Sequence, residues 1–467
     1  MTRLIGDGEA RAARETVREE PALAFDRYGI ALHFLAPPED ALGRQTDAAA
    51  RESSDEFRSF ERDLLSYAYR GAPPLGSHVL PVPEHLRRMT LHLPPCITYV
   101  SEGLIVDLLC AEQHPAGDRR RAVGVRASRT DFRSGLAVYH LVLTPDGEPA
   151  ATALSEYDLV KLVKLWEGGE DVPMHSLVTF EPPGGGRLDV GQLARAVFGP
   201  AARLHPAPRL GTVQIVTSST AIKDRLAWVD VLQAIQTLRD GNPLGDGASA
   251  PTLLDQAIKG TGGILQGLLD FHRIGAGELA DVFASARVTD DALIAVHKGS
   301  ILSLASVDRA FEAAAATIGI SPYLLGPQAV LAHNEEMLDR ADRASQLSSR
   351  KPRALAAARK EMQAALDRHH LPNIFHYPTE RLLYETGTVS RGLRDREQDV
   401  RANLAKVTGE WETAVDRRRR VAEDLIAAIL LLVGGGELVD RTFPLEYVFP
   451  PLALAGALYL LWRWRMT

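Results

Sequence analysis

At 467 residues the chain exceeds what one ordinary core holds, and a prior of about 150 residues per domain predicts two or three folded units. Hydrophobic residues make up 45% and charged residues 24%, a globular balance that excludes a wholly disordered or fibrous chain. A formal charge of −7 lacks the basic excess of a nucleic-acid binder, and two cysteines, Cys96 and Cys110, are too few for a disulfide framework and fit a reducing compartment.

The first twenty-odd residues carry charges throughout and offer no apolar core for a signal peptide, which places the bulk of the chain in the cytosol. Tyr28-Gly-Ile-Ala-Leu-His-Phe-Leu35 reads as a strand. Further strands are predicted at Ile97–Val100, Gly103–Cys110, Ala122–Val125, Leu136–Thr144 and Leu210–Thr217, enough for a small sheet. Ser155-Glu-Tyr-Asp158 resembles a capping box with Asp in place of Glu, and Leu159, Leu162, Val163 and Trp166 share one face of the helix that it would start. Glu181-Pro-Pro-Gly-Gly-Gly-Arg187 is a loop by composition.

Beyond about residue 225 the apolar period lengthens, and Trp228–Leu238, Leu253–Phe271, Glu278–Ala286, Val307–Ile318 and Pro322–Asp339 are read as helices. Residues 340–368 follow as a solvent-facing helix rich in Ala, Arg, Lys, Asp and Gln. Pro372 and Pro378 then mark a hinge. After it, Leu382, Val389, Leu393, Val400, Val407 and Trp411 recur at sums of three and four, which predicts a long helix with oligomeric potential.

Four successive basic residues, Arg417, Arg418, Arg419 and Arg420, precede an uncharged run of twelve residues, Leu425–Gly436, which as a helix covers only about 18 Å of a roughly 30 Å hydrocarbon core. The second run, Tyr447–Trp462, has sixteen uncharged residues, about 24 Å as a helix, and Trp462 and Trp464 suit an interface. Arg463 and Arg465 follow it, and the connector Glu437–Glu446 carries a net charge of −2. By the positive-inside rule these six arginines flank the membrane on its cytoplasmic side and the connector lies outside, so a multi-pass cell-membrane protein with both termini in the cytoplasm is expected. The competing reading is a helical hairpin buried in a core, which the shortness of the first run and the glycines at 434–436 permit.

The resulting organisation is α+β. A mixed α/β domain over 1–225 is followed by a helical region over 226–371, a long helix with coiled-coil potential over 372–424, and a two-helix membrane hairpin over 425–462.

The constellations that carry chemistry are few. His333 and Glu336 stand three apart on one helix and offer half of a metal site, with no third ligand indicated. His369, His370 and His376 surround the prolines of the hinge, where a solvent-exposed connector is the ordinary reading. Gly260-Thr-Gly-Gly263 lacks the Lys-Ser/Thr that completes a phosphate-binding loop. No His-Glu-x-x-His, Gly-x-Ser-x-Gly or thiol nucleophile signature occurs, so no catalytic residue, metal ligand or cofactor is assigned.

A cytosolic α/β domain, a helical region, and a long helix that runs into a first apolar segment, a short loop and a second apolar segment resemble the layout of CorA-type magnesium channels, best at residues 380–467. That family carries Gly-Met-Asn at the end of its first membrane helix, whereas Gly434-Gly-Gly-Glu-Leu438 stands here. The resemblance implies a homo-oligomer whose first membrane helices line a pore, and Glu437 and Asp440 are then expected to form an acidic ring at its outer mouth. The reading preferred here is a membrane-tethered interaction or effector protein of a bacterial defence or signalling kind. Its partners would be membrane lipid, further copies of the chain and a cytosolic protein, not nucleic acid. A soluble enzyme with an unfamiliar site is the third reading.

Overall fold

The computed structural model describes residues 24–36, 58–60, 62, 75–93, 98–101, 104–107, 119–164, 178–199, 205–216, 228–240, 253–268, 271–289, 292–297, 300–305, 318–346, 351–369, 374–375 and 377–440. The chain divides into two compact units. The first holds residues 1–336 and 368–394, the second residues 337–367 and 395–467.

The first unit is built on an eleven-stranded mixed sheet. Its strands are β1 (Tyr28–Ala36), β2 (Leu75–Leu80), β3 (Arg88–Leu93), β4 (Arg119–Phe132), β5 (Ala137–Pro145), β6 (Thr179–Glu181), β7 (Leu188–Asp189), β8 (His205–Val216), β9 (Arg287–Val288), β10 (Ala292–His297) and β11 (Ser300–Ala305). They lie in the order β7-β6-β3-β4-β5-β1-β8-β11-β10-β9, and β2 pairs with the second half of β4. The β8–β11 pairing is parallel and the other pairings described are antiparallel.

The middle strands are apolar on both sides because both sides are covered. On β5 the odd positions Ala137, Tyr139, Leu141 and Leu143 join Ile30, Leu32 and Phe34 of β1 in the larger core. Helices α1 (Glu156–Lys164), α2 (Val190–Phe198), α3 (Trp228–Arg239), α4 (Leu253–Gln266) and α5 (Ala276–Phe283) pack on that face. On the opposite face Ala31, Val138 and Val142 meet residues from α6 (Pro322–Gln346) and α8 (Pro378–Ser390), among them Leu324, Leu325, Ala329 and Leu383.

The capping box read at the start of α1 forms: Ser155 N donates to Asp158 Oδ2 at 3.0 Å, and Asp158 N donates to Ser155 Oγ at 3.3 Å. Gly260-Thr-Gly-Gly263 is no phosphate loop but the middle of α4. A Cβ on Gly262 would stand 2.6 Å from Leu279 Cδ2, and one on Gly263 would stand 2.5 Å from Phe271 Cβ. These glycines let neighbouring groups approach the helix backbone.

Residues 292–305 depart from the helical period expected of the centre and form the β10–β11 hairpin. Leu293, Ala295, Leu302 and Leu304 join the larger core at a period of two, while Val296 and Ile301 are buried on the opposite face, a pattern that a search at helical spacing passes over. The predicted helix at 307–318, apart from its last residue, and Trp166, Cys96, Cys110, His370, His376, the run Tyr447–Trp462, Arg463 and Arg465 lie outside the described residues.

The second unit is helical: the end of α6, α7 (Pro352–His369) and α9 (Leu393–Asp440). Met337, Leu338 and Ala341 of α6, Leu355, Met362, Ala365 and Leu366 of α7, and Val400 and Val407 of α9 are buried. Arg396 on α9 bonds Asp339 and reaches Asp342 Oδ2 at 3.2 Å, and Arg359 on α7 lies 4.5 Å over the Trp411 ring. The seam at Val400 and Val407 is therefore filled within one chain and needs no second copy to bury it. The expected long helix is also divided, because Gly392, at φ +64°, ends α8 before α9 begins.

Gly263→Ala is expected to lower stability by about 1–3 kcal/mol, since overpacking against Phe271 outweighs the helix propensity gained. Gly409→Ala, on an exposed turn of α9 with no atom within 4 Å of the new Cβ, is expected to raise it by up to about 1 kcal/mol. Urea titrations of the two variants beside the parent check both signs.

Candidate functional site

The distal part of α9 carries a cluster of exposed apolar side chains. From Val415 to Leu431 no residue is buried, and the side chains of Ile426, Ile429, Leu430 and Leu431 are 49–76% exposed. Such apolar clusters on a surface mark contact with a partner or a membrane.

Its amphipathicity runs along the axis, not around it. Arg417, Arg418, Arg419 and Arg420 occupy four successive exposed positions of α9, and at 3.6 residues per turn they encircle the helix. Arg419 Nε donates to Glu423 Oε1 at 2.8 Å. From Leu425 to Val433 nine successive residues are apolar and encircle the helix likewise. A helix lying in an interface would show one polar and one apolar face. A polar collar followed by an apolar cylinder suits a helix that enters apolar surroundings end-on.

Gly434–Gly436, expected as a break, lie inside α9, which continues to Asp440. Glycine costs only about 1 kcal/mol per residue in a helix interior, and an otherwise unbroken run absorbs it. Glu437 and Asp440 fall in the last turn of the helix, not in a loop beyond it. The predicted two-helix membrane hairpin of 425–462 is not supported: among the described residues no helix is long and apolar enough to cross a membrane. The flanking positions expected of Arg417, Arg418, Arg419 and Arg420 therefore border no complete span among those residues. The physical reason is length, since Asp424 and Glu437 confine the uncharged stretch of α9 to less than a bilayer's thickness.

The histidine candidates resolve differently. His333 Nε2 meets Ser134 Oγ at 2.9 Å, its Nδ1 meets Asn334 Oδ1 at 3.1 Å, and its ring stacks on Phe132 at 4.4 Å. Both nitrogens are engaged in the core, so the His333–Glu336 pair is not a half-built metal site. His369 is buried at the end of α7, contrary to the exposed connector expected there. Among the described residues no group of three or more His, Cys, Asp or Glu side chains converges as metal ligands.

Sequence reading passed over a second unusual feature, a hydrogen-bonded polar row crossing the face of the sheet beneath α6. His33 on β1 and His140 on β5 are direct cross-strand partners, each 0% exposed, with Nδ1 atoms 2.7 Å apart. His33 Nε2 reaches Thr212 Oγ1 on β8 at 2.9 Å, and His140 Nε2 reaches Thr130 Oγ1 on β4 at 3.0 Å. Thr130 in turn meets Ser77 Oγ on β2 at 3.1 Å. Five strands are thus joined by side chains as well as by backbone. The signal available in the sequence was one histidine within each of two apolar strand runs.

A 2.7 Å contact between two ring nitrogens holds one proton, so one Nδ1–H donates to the other, and burial favours the neutral form of both rings. Burial, the neighbouring His140 and then Arg391 hold His33 well below the ordinary imidazole range. Burial pushes His140 down to about 3.

No protein-family model matches the chain, and no curated protein matches it significantly.

The neutral pair makes stability acid-sensitive. Below about pH 6.5 the unfolded chain takes up protons that the folded pair refuses, so the stability present above that pH is lost as pH falls towards 3. For two histidines the loss from about pH 6.5 to 5 is about 3 kcal/mol, measurable by urea titration across that range. His140→Leu alone, which leaves His33 and Thr130 without this partner, is expected to destabilise by about 2–3 kcal/mol. The double variant H33L/H140L should lose less than the sum of the two single variants and show a flatter acid limb.

Proposed function

We propose that this chain is a membrane-tethered interaction protein, with its α+β unit presented on the cytoplasmic side and the distal part of α9 forming the start of the anchor. The carrying observation is the axial change from an arginine collar at 417–420 to exposed Ile426, Ile429, Leu430 and Leu431 on one continuous helix. The nine apolar residues from Leu425 to Val433 cover only about 14 Å, so they enter one leaflet and require the second apolar run, Tyr447–Trp462, to complete the anchor. Arg463 and Arg465 beyond that run match the collar in charge, as a return to the cytoplasmic side requires. An interaction role is preferred to catalysis because the hydroxyl–imidazole contacts described above involve His33, His140 and His333, all buried among packed strands and helices.

A second reading, an oligomeric CorA-like cation pathway, draws support from one feature: α9 passes without interruption from the packed seam at Val407 to Glu437 and Asp440. Under it E437Q/D440N should cut cation flux into liposomes several-fold, and an inert wild-type protein removes this reading while leaving the tether.

The tether is tested by membrane fractionation and alkaline carbonate extraction of the full chain, a truncation ending at Asp416, and I426S/I429S/L430S/L431S. The full chain should resist extraction, the truncation should be soluble, and the quadruple variant should shift substantially to the extract. Its unfolding midpoint should match the parent's, because the replaced side chains are exposed. A full chain recovered wholly in the extract sinks the tether.

A further inference from the structure

Of the three hydroxyl–imidazole contacts described above, one has its hydroxyl within reach of solvent. Thr130 and Thr212 are buried with their histidines, whereas Ser134 is only half-buried. It lies in the turn Arg133-Ser-Gly135 between β4 and β5, which closes through Gly135 N to Phe132 O and Phe132 N to Leu136 O, both at 2.9 Å. Gly135, at φ +85°, supplies the left-handed residue that a three-residue turn of this kind requires.

The turn sets Ser134 Oγ 2.9 Å from His333 Nε2 on α6, and His333 Nδ1 lies 3.1 Å from Asn334 Oδ1. Asn334 Nδ2 donates to Tyr384 Oη on α8 at 3.1 Å, so the amide turns its oxygen to the imidazole. An amide oxygen only accepts, so Nδ1 carries the ring proton, and in the neutral ring Nε2 is an acceptor. Leu136 N donates to Ser134 Oγ at 3.3 Å, which leaves the hydroxyl proton for Nε2. The Phe132 ring, stacked on His333 with 24° between the planes, fixes the imidazole beside the turn. A hydroxyl, a base and an acceptor that orients the base thus stand in the order that activates a serine.

We propose that Ser134 is a nucleophile for acyl transfer from small activated esters, with His333 as its general base and Asn334, Tyr384 and Phe132 as positioning residues. Ser134 Oγ bonds to the acyl carbon while its proton passes to His333 Nε2. The ester C–O bond then breaks, and the departing oxygen takes that proton from Nε2, which leaves an acyl-serine, an alcohol and a neutral imidazole. The half-buried position of the hydroxyl restricts the donor to a small one. The N–H groups of Gly135 and Leu136 are already bonded within the turn, so they offer the developing oxyanion nothing and the donor must carry its own good leaving group. The residues involved all lie in the first unit, and the activity is independent of whether the distal part of α9 is an anchor.

The test is labelling of the full-length protein with a fluorophosphonate, which forms the corresponding Oγ–P bond with loss of fluoride, read by intact mass and peptide mapping. One label on Ser134 is expected in the native protein and none in S134A, with labelling at least about a hundredfold slower in H333Q. N334D keeps an acceptor for Nδ1–H and should label about tenfold or more faster than N334L, the reverse of what packing alone favours, since leucine is the better buried side chain. Native protein left unlabelled at Ser134, labelling as fast in H333Q as in wild type, or equal rates in N334D and N334L overturns the proposal. Should these variants fail to fold, the wild type in D2O decides: slower labelling than in H2O supports proton transfer to His333, and an unchanged rate overturns it.

Discussion

The fold rests on the antiparallel pairing of β1 with β5, buried on both faces at the centre of the eleven-stranded sheet. A strand covered on both sides loses the usual means of fixing register, because a slip of one residue exchanges one apolar face for another. His33 and His140 restore it. Their ring nitrogens meet only when the two residues are directly opposite, and a slip would bury imidazoles against aliphatic side chains with no partner. The helices on either side pack correctly only if that register holds.

Strands with a turn behind them were legible in the sequence, as at Leu136–Thr144, and so was the Ser155/Asp158 cap, because both depend on local chemistry. The β10–β11 hairpin was not, since its short apolar runs carry no strong turn signal and fall among helical periods. The heptad-like spacing of Val400 and Val407 was correctly a buried seam, but spacing alone does not say whose surface fills it; Arg396 with Asp339 and Asp342, and Arg359 with Trp411, answer from within the chain. The polar row was invisible because each histidine, taken singly, is an ordinary core residue. Only the pairing of strands 107 positions apart makes them a unit.

The two unusual regions differ in what sustains them. The row is stable because burial keeps water and protons away from it, whereas the distal part of α9 leaves large apolar side chains in contact with water. The first is a closed arrangement whose polar groups satisfy one another. The second is an open one, whose apolar side chains no described residue covers.

The parallel β8–β11 pair sets the order in which the sheet is completed during synthesis. β8 ends at Val216 and its neighbour begins at Ser300, so the intervening α3, α4 and α5 must be made before that ladder can close. Until then β8 presents a row of unpaired backbone groups to other nascent chains. The last hydrogen bonds of the sheet are long in sequence separation, which slows their formation and concentrates the hazard of misassembly at one edge of one strand.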